Sequence, residues 1–192
     1  MEDVEISDRK KDTRNLIDKF KGLSNEEVVE RLDRRRSELE VAIENVSHDF
    51  NVGTIVRSAN NFNASRVHII GRKKYNRRGA MCTDKYLKVF YWESAEEFVA
   101  DQRKRGREIV GIENNVPEEI GAPEVKPLAL KKFVQKTTLI FGSEGEGISS
   151  ELLSSCDDIR EIENFGSTRS VNVGVAAGIA MYEWARQCLI KK

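Results

Sequence analysis

Three stretches of this sequence combine residue types that do chemistry with glycines that let a ligand approach the backbone. The first holds Asn51, Gly53 and Arg57, in Asn51-Val52-Gly53-Thr54-Ile55-Val56-Arg57. It follows a predicted strand and enters a predicted helix, where the free N–H groups of a first helical turn suit an anion. Gly53, Arg57, Asn60 and Asn61 fall on the face opposite an apolar stripe, and a guanidinium there can grip a phosphate with two parallel hydrogen bonds. His48, just upstream, is of a type that can exchange protons near neutrality. It reads as a loop histidine without a catalytic role.

The second stretch is Gly142-Ser143-Glu144-Gly145-Glu146-Gly147, directly after the apolar run Leu139-Ile140-Phe141. Its glycines permit a sharp turn and close contact with a ligand. No Gly-Lys-Ser/Thr follows, so it is not a P-loop, and the spacing misses the dinucleotide fingerprint. Glu144 and Glu146 would repel a pyrophosphate, whereas they are compatible with a sulfonium cofactor, which is cationic and carries no phosphate. The third stretch runs from Ile162 through Gly166 and Ser170 to Val171, Asn172 and Val173. Ser170 is the expected N-cap of a last helix. From Val171 to Met181 almost every residue is small or apolar, which predicts a buried, closely packed helix. Asn172 is a lone amide in that run and needs hydrogen-bond partners if buried.

The elements that must position these stretches alternate in type. Ser24 and Glu27 form a capping-box pattern that opens a charged helix from Glu26 to about Leu39. Apolar runs predict strands at Val41–Ile43, Val67–Ile70, Val89–Tyr91, Ile109–Ile112, Thr138–Phe141 and Ile159–Ile162. Between them, helices are expected over Val52–Phe62, with Val52, Ile55, Val56 and Ala59 at helical spacing, over Glu96–Arg105, over Ile148–Ser154, and from Ser170 to Leu189. Strands alternating with helices imply an α/β fold whose mostly parallel sheet is flanked by helices on both faces. Such sheets take ligands beyond the C-terminal ends of their strands, which is where the glycine-rich stretches fall. Residues 1–40 read as a charged N-terminal helical extension, its first 23 residues a mobile arm or loosely attached helix, and 41–192 as the main domain.

Composition narrows the possibilities further. Of 192 residues, 33% are charged and 39% hydrophobic, which suits a globular chain. No apolar run reaches the ~18 residues of a membrane span. The first residues lack the layout of a secretory signal, so the expected location is cytoplasmic. Cys82, Cys156 and Cys188 are odd in number and widely spaced, which argues against a disulfide framework. With His48 and His68 they offer no metal-ligand spacing, and no metal is expected. The formal charge is +0, but its distribution is uneven. Between Asp49 and Asp84 there is no acidic residue, while Arg57, Arg66, Arg72, Lys73, Lys74, Arg77 and Arg78 lie there. That stretch is either a positive face for a nucleic acid or a solvated basic loop.

Taken together, the three stretches resemble the SpoU/TrmH family of the SPOUT class of RNA methyltransferases. The resemblance rests on Asn51, Gly53 and Arg57; on Gly142, Glu144 and Gly147; and on Ile162, Gly166, Ser170, Val171, Asn172 and Val173, in family order over roughly residues 40–188. Two positions depart from the pattern. Glu163 stands where a proline is usual, and Val171 replaces a leucine while keeping an apolar wall for an adenine. The resemblance implies a C-terminal deep trefoil knot, a homodimer packed through the knot region, and S-adenosylmethionine as cofactor. It implies that Gly142, Gly147, Ile162, Gly166 and Val171 bind the cofactor, and that Arg57, Asn51, Glu144, Ser170 and Asn172 form the catalytic site. The implied reaction is methylation of a ribose 2′-hydroxyl in tRNA or rRNA, with Arg57 orienting the ribose while a substrate phosphate or water takes the proton. Arg72, Lys73, Lys74, Arg77 and Arg78 are then expected to grip the RNA backbone. Methylation of a base nitrogen on the same fold, or RNA binding without catalysis, are the alternatives.

Overall fold

The computed structural model describes residues 11–45, 51–72, 74–143 and 145–190. Seven strands form one sheet: β1 (Glu40–Asn45), β2 (Arg66–Gly71), β3 (Val89–Trp92), β4 (Glu108–Ile112), β5 (Val125–Pro127), β6 (Thr137–Phe141) and β7 (Asp158–Glu161). Their order is β3-β2-β1-β6-β4-β7-β5, and every neighbouring pair is parallel. The α/β class and parallel sheet expected from the alternating pattern are therefore present. β5 escaped sequence reading because three residues, one of them proline, show no periodicity. As an edge strand it tolerates Pro127.

Helices cover both faces: α1 (Asn25–Asp33), α2 (Asn51–Asn61), α3 (Ala95–Lys104), α4 (Ser150–Ser155) and α5 (Val173–Cys188). Alternation along each strand divides the core in two. Val41, Ile43, Val110, Leu139 and Phe141 join Ile55 and Val56 of α2 and Trp184 of α5 in one cluster. Ala42, Ile109 and Ile140 point the other way, toward Phe98 of α3 and Leu152 of α4. Central strands buried on both faces leave no polar stripe, which is why they read as continuous apolar runs.

The capping box at α1 is complete. Ser24 Oγ accepts from Glu27 N at 3.1 Å, and the Glu27 carboxylate accepts from Ser24 N at 2.7 Å. The helix stops at Asp33 rather than continuing to Leu39. The Ser37 N–H donates to Asn63 O at 3.0 Å instead of back along the helix, turning the chain into β1. Phe20 and Leu23, in the stretch expected to be loosely attached, are buried with Val28, Leu32 and Tyr86. No helix among the described residues is long and apolar enough to cross a membrane.

Candidate active site

Because every strand runs the same way, the C-terminal ends of β4, β6 and β7 open onto one edge, and a cleft of about 330 Å³ lies there. Its walls come from three places in the chain: Ile112–Asn115 after β4, Gly142, Ser143, Gly145 and Gly147 after β6, and Ser170–Val173 with Ala176 at the start of α5. The volume lies within the range of small-molecule sites, and apolar Ile112, Val171, Val173 and Ala176 share the walls with glycine backbone and with the polar side chains of Glu113, Asn114, Asn115, Ser143, Ser170 and Asn172.

The loop after β6 turns back on itself. Ser143 N donates to Gly147 O at 3.1 Å and Gly147 N to Ser143 O at 3.0 Å. A Cβ on Gly142 would lie 1.9 Å from the Gly147 carbonyl carbon, so only glycine fits. Gly147 itself has φ +71°, a conformation that favours glycine. Beside this loop stands Glu113, a residue that sequence reading passed over. Its Oε2 accepts from Ile148 N at 3.1 Å, and its Oε1 accepts from Asn114 N at 3.0 Å and Asn115 N at 3.1 Å. One carboxylate thus ties the end of β4 to the glycine loop. Asn114, also overlooked, clamps both backbone groups of Ile162: Ile162 N donates to its Oδ1 at 3.1 Å, and its Nδ2 donates to Ile162 O at 2.7 Å. The available signal was position alone, directly after a buried strand where the crevice of a parallel sheet falls.

Asn172 is the N-cap of α5, a role expected of Ser170. Its Oδ1 accepts from Gly174 N at 3.0 Å and Val175 N at 3.3 Å. With the oxygen so occupied, the amide nitrogen turns outward and donates to Asn51 Oδ1 at 3.0 Å. The amide is therefore exposed rather than buried. A little further along each helix, Gly174 meets Thr54, whose Cγ2 would lie 3.0 Å from a Cβ at that position. Residues 121 positions apart thus bring the first and third stretches together. α5 is also less enclosed than expected. Ala177, Ala180, Met181 and Trp184 are buried, but Val175, Ile179 and Tyr182 form an exposed apolar row.

Not every predicted residue reaches the cleft. Gly142, Gly147, Ser170, Val171 and Asn172 line it, and Asn51 joins it through Asn172. Ile162 faces a neighbouring hollow with Glu163 and Tyr182, and Gly166 lies in an exposed loop. Arg57 is six residues along α2 from Asn51, about 9 Å by helical rise, and lines a separate groove. Among the described residues it is exposed and has no hydrogen-bond or ion-pair partner. Gly53 does not face solvent as expected. A Cβ there would lie 2.7 Å from Asn76 O and 2.8 Å from Ala80 N, so this glycine seats the basic loop against α2. Arg72, Lys74, Arg77 and Arg78 on that loop are exposed, with Arg77 3.6 Å from Asp84. Glu144, Lys73 and His48 lie outside the described residues.

A parallel sheet with a glycine-lined cleft at its strand ends, closed by a capped helix that docks on a second polar helix, defines a small-molecule-binding α/β enzyme of the SPOUT type. The chain belongs to the SpoU rRNA methylase family, whose model matches residues 38–182. It is similar to tRNA (guanosine(18)-2′-O)-methyltransferases from Aquifex aeolicus, at 28% identity over 81% of this chain and 72% of the relative, and from Escherichia coli K12, at 26% over 83% and 68%. Its fold is similar to a crystal structure of the A. aeolicus TrmH/SpoU tRNA modifying enzyme, with TM-score 0.72 and 25% identity over 85% of this chain and 81% of that one. It is likewise similar to the SpoU methyltransferase AviRb from Streptomyces viridochromogenes in complex with AdoMet, with TM-score 0.67 and 26% identity over 82% and 63%.

Proposed function

We infer that this protein is an S-adenosylmethionine-dependent RNA methyltransferase that acts on a ribose 2′-hydroxyl. The observation that carries this reading is the joining of a glycine-lined cleft to the Arg57 helix, through Asn172 and Asn51, in a member of the SpoU family. The cleft suits the cofactor. Gly142 and Gly147 leave backbone open to it, Val171 and Ala176 offer apolar surface to an adenine, and Glu113 places negative charge near a cation. When bound, S-adenosylmethionine supplies a methyl group already activated by its sulfonium.

The protein's own task is to align the acceptor oxygen and assist loss of its proton, and alignment alone is worth several kcal/mol, up to about 7–11 in favourable intramolecular cases. Arginine stays protonated in proteins, so Arg57 is not the base. It orients the ribose and stabilises the developing alkoxide while a substrate phosphate or water takes the proton. Asn51, Glu144, Ser170 and Asn172 complete the catalytic site, and Ile162 and Gly166 shape the cofactor side. The basic loop holding Arg72, Lys73, Lys74, Arg77 and Arg78 contacts the RNA backbone.

The exposed row of Val175, Ile179 and Tyr182 supports a homodimer formed with a second copy of this chain. The C-terminal knot is carried with this reading, as are a cytoplasmic location, an extension over residues 1–40 and a catalytic domain over 41–192. The test is incubation with labelled S-adenosylmethionine and total tRNA or rRNA, followed by nuclease digestion and mass spectrometry. A 2′-O-methylated nucleoside is expected, and a methyl on a base nitrogen overturns the assignment. Arg57→Ala should abolish turnover yet bind the cofactor normally by calorimetry. Retained turnover refutes the role given to Arg57.

A further inference from the structure

The groove that Arg57 lines is larger than the cleft, at about 580 Å³, and lies between α2 and the segment before α1. Its polar wall carries Asn15, Arg35, Arg57, Asn60, Asn61 and Thr83, its floor includes Phe20 and Leu16, and among the described residues no acidic one lines it. Two further facts set it apart from a packing defect. Among the described residues nothing donates to the buried Asn60 Oδ1, a state that folded proteins rarely leave unrelieved without a reason. Arg57, as noted, has no partner among the described residues.

The groove is also continuous with the cleft. Asn51, Thr54, Ser58 and Asn61 fall at i, i+3, i+7 and i+10, so one polar stripe runs the length of α2. Its first residue bonds Asn172 at the cleft, and its last lines the groove. Thr83 links the far side of the groove to the segment that follows Arg77 and Arg78. Ten residues of helix advance about 15 Å, and a stacked nucleic-acid strand advances about 3.4 Å per nucleotide, so the stripe spans about four nucleotides.

We propose that the stripe and groove form a binding track for the single-stranded RNA next to the methylated nucleotide, ending in a subsite that takes an unstacked base. This rests on the RNA methyltransferase reading above. The chemistry fits the ligand: Arg35 and Arg57, with no acidic residue beside them in the described lining, for phosphates, amides for base edges, and an apolar floor for a base face. Entry of a base donor would also satisfy Asn60 once its amide turns outward. The segment containing Asn15, Leu16 and Phe20 is then part of the substrate site.

The test uses the full chain with unfractionated tRNA. Asn61→Asp places a negative charge on the track without removing a buried group, and should weaken tRNA binding by fluorescence anisotropy at least tenfold. Asn61→Ala should weaken it about threefold. Both should keep the wild-type melting temperature and affinity for S-adenosylmethionine. Hexaribonucleotides containing 4-thiouridine should crosslink to peptides spanning residues 15–20 or 54–61. If the wild-type protein binds tRNA but Asn61→Asp binds equally well and crosslinks map elsewhere, the track is refuted while the RNA reading stands. If neither tRNA nor rRNA binds the wild-type protein, both fall.

Discussion

At the N-terminal edge of the sheet, charged groups consume one another's hydrogen-bonding capacity. At the C-terminal edge, neutral side chains beside the cleft leave capacity open. Glu40, at the start of β1 and 1% exposed, accepts from both terminal nitrogens of Arg105 and from His68 Nε2 at 2.8 Å, with Arg107 Nε 3.4 Å away. Trp92 Nε1 donates to His68 Nδ1 at 3.0 Å, so the ring's proton sits on Nε2 and points at Glu40. Arg107 also donates to Thr138 Oγ1 at 2.8 Å and Thr137 O at 2.7 Å. At the opposite edge, Ser143 Oγ lacks a partner among the described residues, and Ser170 and Val171 are exposed along the cleft. Burial of charge alone would have nominated the wrong end. Unspent hydrogen-bonding capacity beside a cavity marks the site.

The largest effect should come from emptying the saturated end. Among the described residues, Glu40→Ala leaves Arg105 with Asp101 alone and takes the buried carboxylate from Arg107, and removing one partner of a buried ion pair typically costs about 3–5 kcal/mol. For a chain of this size that lowers Tm by roughly 10 °C or more. A melt within a degree or two of wild type would show that the network is dispensable and weaken the contrast between the two edges.

The same end should set the response to acid. Burial by itself would raise the Glu40 pKa, but the hydrogen bonds from Arg105 and His68 and the charge of Arg107 outweigh it and bring it from 4.5 to about 2. Burial pulls His68 below its usual 6.5, against the pull of Glu40. Both groups bind protons more readily in the unfolded chain, so both contribute stability that is lost as pH falls. The loss should begin near the usual histidine value and deepen below 4.5 as pH approaches 2. Glu40 accounts for about 3 kcal/mol of it. Denaturant titrations between pH 7 and 3 measure the slope, and a stability independent of pH over that range contradicts the network's charge assignment.

At the open end, Gly142→Ala should leave global stability less affected than Glu40→Ala but spoil the cleft. The added methyl overlaps the Gly147 backbone, so the loop must shift where the cofactor is expected to bind. A fall of at least 100-fold in S-adenosylmethionine affinity, about 2.7 kcal/mol, is the expected calorimetric result. Unaltered affinity would place the cofactor elsewhere.

These contrasts also explain what could be read before the structure was known. The strands, most helices and the Ser24–Glu27 cap follow from local periodicity and side-chain chemistry, and appear within a few residues of where those patterns put them. Gly142 was legible as a turn, but its reason, the Gly147 carbonyl lying across it, is a contact no spacing reveals. Glu113 and Asn114 were missed because their meaning comes from β6 and β7 lying on either side of β4, which brings Ile148 to Glu113 and Ile162 to Asn114 from far along the chain. Gly53 was misread because the loop that packs on it is irregular. Local rules place elements, whereas partners made by strand order become visible only in the fold.

Asn172 offers the finest test, because it serves stability and site assembly with different atoms. Its oxygen caps α5 and its nitrogen reaches Asn51. Asn172→Ala removes both roles and should cost about 1 kcal/mol, the usual value of an N-cap. Asn172→Asp keeps an acceptor for the cap and adds a negative charge where a helix N-terminus favours one, so its stability should match wild type. A carboxylate cannot donate to Asn51 Oδ1, however, and would face it acceptor to acceptor. Turnover should therefore fall in both variants while only the alanine variant melts early. If Asn172→Asp turns over like wild type, the link between α5 and α2 is structural trim, and the open edge of the sheet owes its function to the cleft alone.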